Sequence, residues 1–137
     1  MELREILAEG SFMVWLRLAE EIAKNHDVQV LRAPETCTMM LQAIDSVGQT
    51  PFYLGEVLMT EAAVAIGGRT GYGFALEDEP ERAVCIAVID AALSAGVAES
   101  DYIRKIIAAE AGRIMARRSQ ENGLVAATRV NFAIMEG

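Results

Sequence analysis

Glycines at positions 67, 68, 71 and 73 surround Arg69 in "AIGGRTGYGF", and a helix-start pattern follows at "EDEPERAV". The chemistry such a stretch could perform is phosphate binding, which needs backbone N–H groups aimed at the anion and an open helix N-terminus. Two features argue against it. A full strand, "YGFALE", separates the glycines from the helix, and Glu77, Asp78, Glu79 and Glu81 crowd the helix start. Those carboxylates already complement the positive end of the helix dipole and would repel a phosphate. The stretch also lacks Gly-Lys-Ser/Thr and does not fit GxGxxG. "GGRTG" is therefore expected to be a hairpin turn, with Gly71 and Gly73 allowing close backbone approach by the core or by a partner.

The other groups able to do chemistry are sparse. The acidic run 77–81 reads as a metal cluster, an acid/base pair or a charge-complemented helix start, the last being the plainest. His26 is the single histidine, expected at a solvated helix end, and Cys37 and Cys85 lie far apart outside any CxxC. That set cannot build a standard zinc site and offers little for Ser-His-Asp or Cys-His catalysis. Asp90 interrupts an otherwise apolar helix as a core carboxylate, an exposed group or a partner for an arginine. "RAPET", residues 32–36, sets Arg32 and Glu35 around an expected turn, as a bracing pair or an anion contact. Arg117 and Arg118 end a helix where cations suit the dipole, and Arg113 and Arg129 could join them.

These groups need elements to position them. A short helix over residues 2–9 is followed by Ser11 as N-cap for "FMVWLRLAEEIAKN", whose Phe12, Trp15, Leu16, Ala19 and Ile22 recur at helical spacing. Period two then takes over. Strands are expected at "DVQVLRA", "CTMMLQAI", "FYLGEVLMTEAAVAI" and "GYGFALE", with turns at "APET", "SVGQTP" and "GGRT" and a bend or bulge at Gly55. This is an antiparallel four-stranded meander. "PERAVCIAVIDAALSAG" has Pro80 in its first turn, Gly96 past its end and apolar residues all round, so it should be covered on more than one side. A last long helix, capped by Ser100, and a possible fifth strand at "TRVNFAIM" complete the chain. Grouped helices and grouped strands make an α+β fold, expected as a single domain over 1–137.

The bulk properties narrow the function. With 53% hydrophobic residues, 23% charged and a formal net charge of −8, the chain is an ordered domain unsuited to general nucleic-acid binding. The acidic N-terminus lacks the order of a signal peptide, and no apolar run approaches the roughly 18 residues of a membrane span, so a cytoplasmic location is expected. Ten of the twelve cations are arginine, the residue suited to carboxylate, phosphate and interface contacts.

The sequence resembles the PhnG family of phosphonate metabolism, a small subunit of the carbon–phosphorus lyase core complex. "RAPET" (32–36), "GEVLMTEAAV" (55–64), "GYGFALEDEPERAVCIAVIDAAL" (71–93) and "TRVNFAIMEG" (128–137) carry the likeness in order and separation, and Cys37 and Thr38 depart from the family's usual Gly and branched apolar residue. The resemblance implies work with PhnI-, PhnH- and PhnL-type proteins, replacing the adenine of MgATP by a phosphonate to give α-D-ribose 1-methylphosphonate 5-triphosphate. A PhnJ-type protein acts later in the same system. It implies no catalytic residue, metal or cofactor held by this chain alone, MgATP being substrate of the whole complex. The positions expected to serve assembly are Arg32, Glu35, Thr36, Gly55, Glu56, Gly71, Tyr72, Arg82, Arg129 and Phe132, with fold maintenance the alternative for the glycines and Phe132. The all-round apolar helix and the C-terminal tail are the expected contact elements, and the tail could also extend a partner's sheet. A rival of another class is a stand-alone metabolite-binding domain with an anion site at Arg32, Arg69 or Arg129.

Overall fold

The computed structural model describes residues 1–44, 47–48, 50–122 and 131–136. Its elements run α1 (Leu3–Glu9), α2 (Phe12–Asn25), β1 (Val28–Ile44), β2 (Pro51–Ile66), β3 (Arg69–Leu76), α3 (Pro80–Ala95), α4 (Ser100–Asn122) and β4 (Asn131–Glu136). The strands form one antiparallel sheet in the order β3-β2-β1-β4. The α+β class and the antiparallel sheet are those the sequence predicts.

The expected turn at "APET" is replaced by continuous strand. β1 pairs with β2 from Val28 opposite Ile66 to Ile44 opposite Pro51, and its register slips between Val30 and Arg32 and again between Arg32 and Glu35. Pro34 cannot donate to a ladder, and the chain absorbs that defect in a bulge instead of reversing. No residue of "APET" has positive φ, so a tight primed turn has nothing to build on. The meander therefore has three strands, and the C-terminal strand is the fourth. It pairs with β1 of its own chain, Met39 opposite Glu136 through Ile44 opposite Asn131.

The β2–β3 turn follows expectation. Ile66 pairs with Arg69, and the two intervening glycines have φ of 56° and 78°, the left-handed pair that a two-residue hairpin of this hand requires. Register on β3 puts Gly71, Gly73 and Ala75 on the same face as Val64, Ala62 and Thr60. α3 lies on that face. A Cβ on Gly73 would overlap the Ala83 carbonyl oxygen, and one on Gly71 would overlap the backbone of Ala87 and Ala91. Glycine on the strand and alanine on the helix thus bring the two backbones together, which is why so few aromatics suffice for this core.

α2 and α4 close the outer layer. Trp15, Leu18 and Ile22 of α2, Ile86 and Ile89 of α3, and Ile103, Ile107 and Ile114 of α4 are buried in one cluster with Ala62, Val64 and Ile66. The Trp15 indole N–H donates to the Leu7 carbonyl at 3.1 Å, giving the ring's polar edge a partner. α3 ends in Gly96 at φ 64°, the left-handed C-terminal stop. The Ser100 hydroxyl donates to the Val97 carbonyl at 2.7 Å, within the turn that leads into α4. No helix among the described residues is long and apolar enough to cross a membrane.

Candidate functional site

β3 ends where Leu76 pairs with Met59, and α3 starts beside Thr60, whose Oγ1 accepts from the Glu79 N–H at 3.0 Å and donates to the Glu77 carbonyl at 2.7 Å. Beyond that level β1 and β2 continue as a ribbon, Cys37–Ile44 against Pro51–Met59, and among the described strands β4 alone flanks it there, along β1. The ribbon is bulged at Gly55. Leu41 pairs with Gly55 but Gln42 pairs with Tyr53, leaving Leu54 as the extra residue, and Gly55 has φ 145°. Sequence reading placed this irregularity correctly.

Several expected assembly residues fall on or next to this ribbon. Arg32 is exposed, and its Nη1 donates to Glu61 Oε1 of the neighbouring strand at 2.6 Å. It therefore pairs across the sheet and not with Glu35 around a turn. Glu35 sits in register with Glu61, Thr36 with Thr60, and Glu56 with Met40, and Glu35, Thr36 and Glu56 are exposed. Phe132 lies in β4 opposite Ala43. Arg129 lies outside the described residues.

The remaining three sit elsewhere. Gly71 is buried under α3. Tyr72 has an exposed side chain on the edge strand, and its N–H donates to Asp90 Oδ2 at 2.9 Å. Asp90, the polar break in α3, thus caps an outward-facing donor of an open sheet edge. Arg82 is engaged within the chain: its Nη1 donates to the Gly10 carbonyl at 3.0 Å, its guanidinium lies 5.9 Å from the centre of the Phe12 ring, and Glu79 is 3.5 Å from its Nε. It fastens the α1–α2 corner to the start of α3.

Sequence reasoning missed the ribbon's apolar surface. Phe52, Tyr53, Leu54 and Leu58 are each about half exposed. The signal was in "PFYLGEVLM", which lacks the polar alternation of a strand with one wet face.

Elsewhere the titratable groups serve packing. Glu110 is 4% exposed and accepts from the Ser11 N–H at 3.0 Å and from Arg113 Nε at 2.7 Å. Burial alone would raise its pKa, but the Ser11 N–H and the Arg113 guanidinium outweigh that and hold the carboxyl below its ordinary range. Burial pushes the Cys85 thiol up, with Glu81 and Glu20 adding to the effect, so the thiolate needed for nucleophilic work is disfavoured. His26 is not simply solvated, its Nε2 lying 2.7 Å from Glu99 Oε2. Arg117 and Arg118 pair with Glu9, and Arg118 also approaches Glu5, tying α4 to α1. Among the described residues no group of three or more His, Cys, Asp or Glu is placed to hold a metal ion. A cavity of about 510 Å³ lies between α1, the β3 edge and α3, lined mainly by Leu3, Leu7, Met59, Phe74, Leu76 and Ile86, with Glu2, Arg4 and Asp90 as its charged groups. None of its lining residues forms a nucleophile–base pair.

Fold and surface together define an α+β fold that carries exposed apolar side chains on a β-ribbon. Residues 2–137 match the family model described as phosphonate metabolism protein PhnG, and the chain belongs to that family. It is 31% identical over 119 residues, 85% of this chain and 74% of the relative, to the alpha-D-ribose 1-methylphosphonate 5-triphosphate synthase subunit PhnG of Rhizobium meliloti (strain 1021).

Proposed function

We propose that this chain, acting over 1–137 as one PhnG-like domain, is an accessory subunit of a synthase that exchanges the adenine of MgATP for a phosphonate. Its product would be α-D-ribose 1-methylphosphonate 5-triphosphate, made together with PhnI-, PhnH- and PhnL-type proteins in the cytoplasm. A PhnJ-type protein belongs to the same system. The observation that carries the reading is the family match across residues 2–137, joined to a relative whose name makes it a subunit of that synthase.

The described residues support an accessory role. Glu110 is held charged by its two donors, the Cys85 thiol is buried, and Arg32 is already matched by Glu61. What such a subunit contributes is order: by packing on the partner that holds the nucleotide, it fixes that partner's loops and keeps water from the reacting atoms. The test is co-purification of the chain with its PhnI-type partner. A stable complex is expected. A chain that stays monomeric in the presence of all three companions contradicts the reading.

A further inference from the structure

We propose that the end of the β1–β2 ribbon beyond the start of α3, residues 37–44 and 51–59, is the docking element, and that its occupant is a companion subunit offering an apolar cleft with a cationic rim. The proposal rests on the reading of this chain as a synthase subunit and says which surface does the assembling.

Three observations converge on it. The first is an open edge on β2. α3 reaches only to the level of Thr60, and β3 pairs with β2 only from Met59 to Ile66, so the outer edge of β2 has no neighbouring strand from Pro51 to Val57 among the described strands. The second is the side chains there. Phe52 is 48% exposed, Tyr53 54%, Leu54 46% and Leu58 46%. Exposed apolar and aromatic anchors are the side chains that dominate association when a partner desolvates them.

The third is charge. There is no Lys or Arg between Arg32 and Arg69, while Glu35, Asp45, Glu56 and Glu61 fall in that stretch. Arg32 answers Glu61, whereas no salt bridge among the described residues reaches Glu35 or Glu56. A second copy meeting this stretch with its own would bring carboxylates against carboxylates, on a molecule already at −8. A phosphate backbone would be repelled as well. Complementary potential requires cations on the partner, which would speed encounter and fix register while the apolar side chains supply the grip. The open β2 edge adds backbone donors and acceptors for a partner strand.

The test uses the assembled complex. Tyr53→p-benzoylphenylalanine places a photo-cross-linker on the ribbon, and Tyr102→p-benzoylphenylalanine places one on α4, where Tyr102 is also half exposed. Cross-linking to a PhnI-, PhnH- or PhnL-type companion is expected from position 53 and not from 102. The double variant Phe52→Ser/Leu54→Ser should lower affinity for that companion by about 10-fold or more. Glu56→Lys should slow association and flatten its dependence on salt. If the wild-type chain enters the complex but position 53 fails to cross-link, or the folded double variant binds as wild type does, the ribbon is not the docking element and the subunit reading stands. If the wild-type chain does not enter the complex, the subunit reading itself is overturned.

Discussion

Gly73 of β3 lies directly beneath the Ala83 carbonyl of α3, with the Ala87 nitrogen 2.7 Å from where a Cβ would stand. Strand and helix meet here backbone to backbone, so there is no side chain that could move aside. Gly73→Ala should therefore force the layers apart, at a cost of about 1–3 kcal/mol or more. Denaturant unfolding measures it, and a loss below half a kcal/mol would show that α3 can lift freely. Gly112, exposed in α4 with nothing near its would-be Cβ, is the counterpart: Gly112→Ala should stabilise by about 0.5–1 kcal/mol.

Asp90 interrupts α3 in order to reach the sheet edge, where it takes the Tyr72 N–H at 2.9 Å. Asp90→Ala removes that acceptor and should cost about 1 kcal/mol. Hydrogen exchange reads the same contact locally. The Tyr72 amide should exchange markedly faster in the variant, and unchanged exchange there would show that the carboxylate does not hold the strand.

Glu110 ties the start of α2 to α4 through the Ser11 N–H. Its folded pKa is depressed by the Ser11 and Arg113 donors despite burial. A carboxylate whose folded pKa lies below its unfolded value contributes stability that is present above the unfolded value, about 4.3 for Glu, and lost as pH falls through the folded one. Glu110→Gln should cost about 1.5–3 kcal/mol at pH 7. The difference between wild type and variant should shrink as the pH drops below about 4. Melting temperatures of both proteins across that range are the measurement, and a gap that widens toward acid would reverse the sign.

Cys85 is buried and its thiol is pushed up by that burial and by Glu81 and Glu20. Iodoacetamide should leave it unmodified in the native protein and label it after denaturation, as peptide mass spectrometry would show. Rapid native labelling would mean that α3 opens readily.

Much of the fold was legible because local rules and tertiary context agree. Gly67 and Gly68 spell a primed turn, Pro80 and Gly96 bracket α3, and Gly55 marks a bulge, each through a backbone preference that neighbours do not override. The "APET" segment shows the opposite case. Read alone, Pro34 suggests a reversal, but β2 is long enough to supply a partner on both sides of it, and pairing continues through two bulges. The candidate site was legible only in part. Arg32, Glu35, Thr36, Gly55 and Glu56 share the ribbon region, whereas Arg82 and Gly71 turn inward, since residue type alone does not say whether an arginine or a glycine meets its own chain or another. Phe52 to Leu54 escaped notice because a strand without cover and a buried strand share the same apolar spelling.

The most direct test of the account is adenine release from MgATP and methylphosphonate, followed in mixtures of this chain with its PhnI-, PhnH- and PhnL-type companions. Turnover should require the full mixture, fall away when this chain is omitted, and be absent from this chain alone. Adenine released by the solitary chain, or undiminished release without it, would contradict the claim that it completes another subunit's active centre.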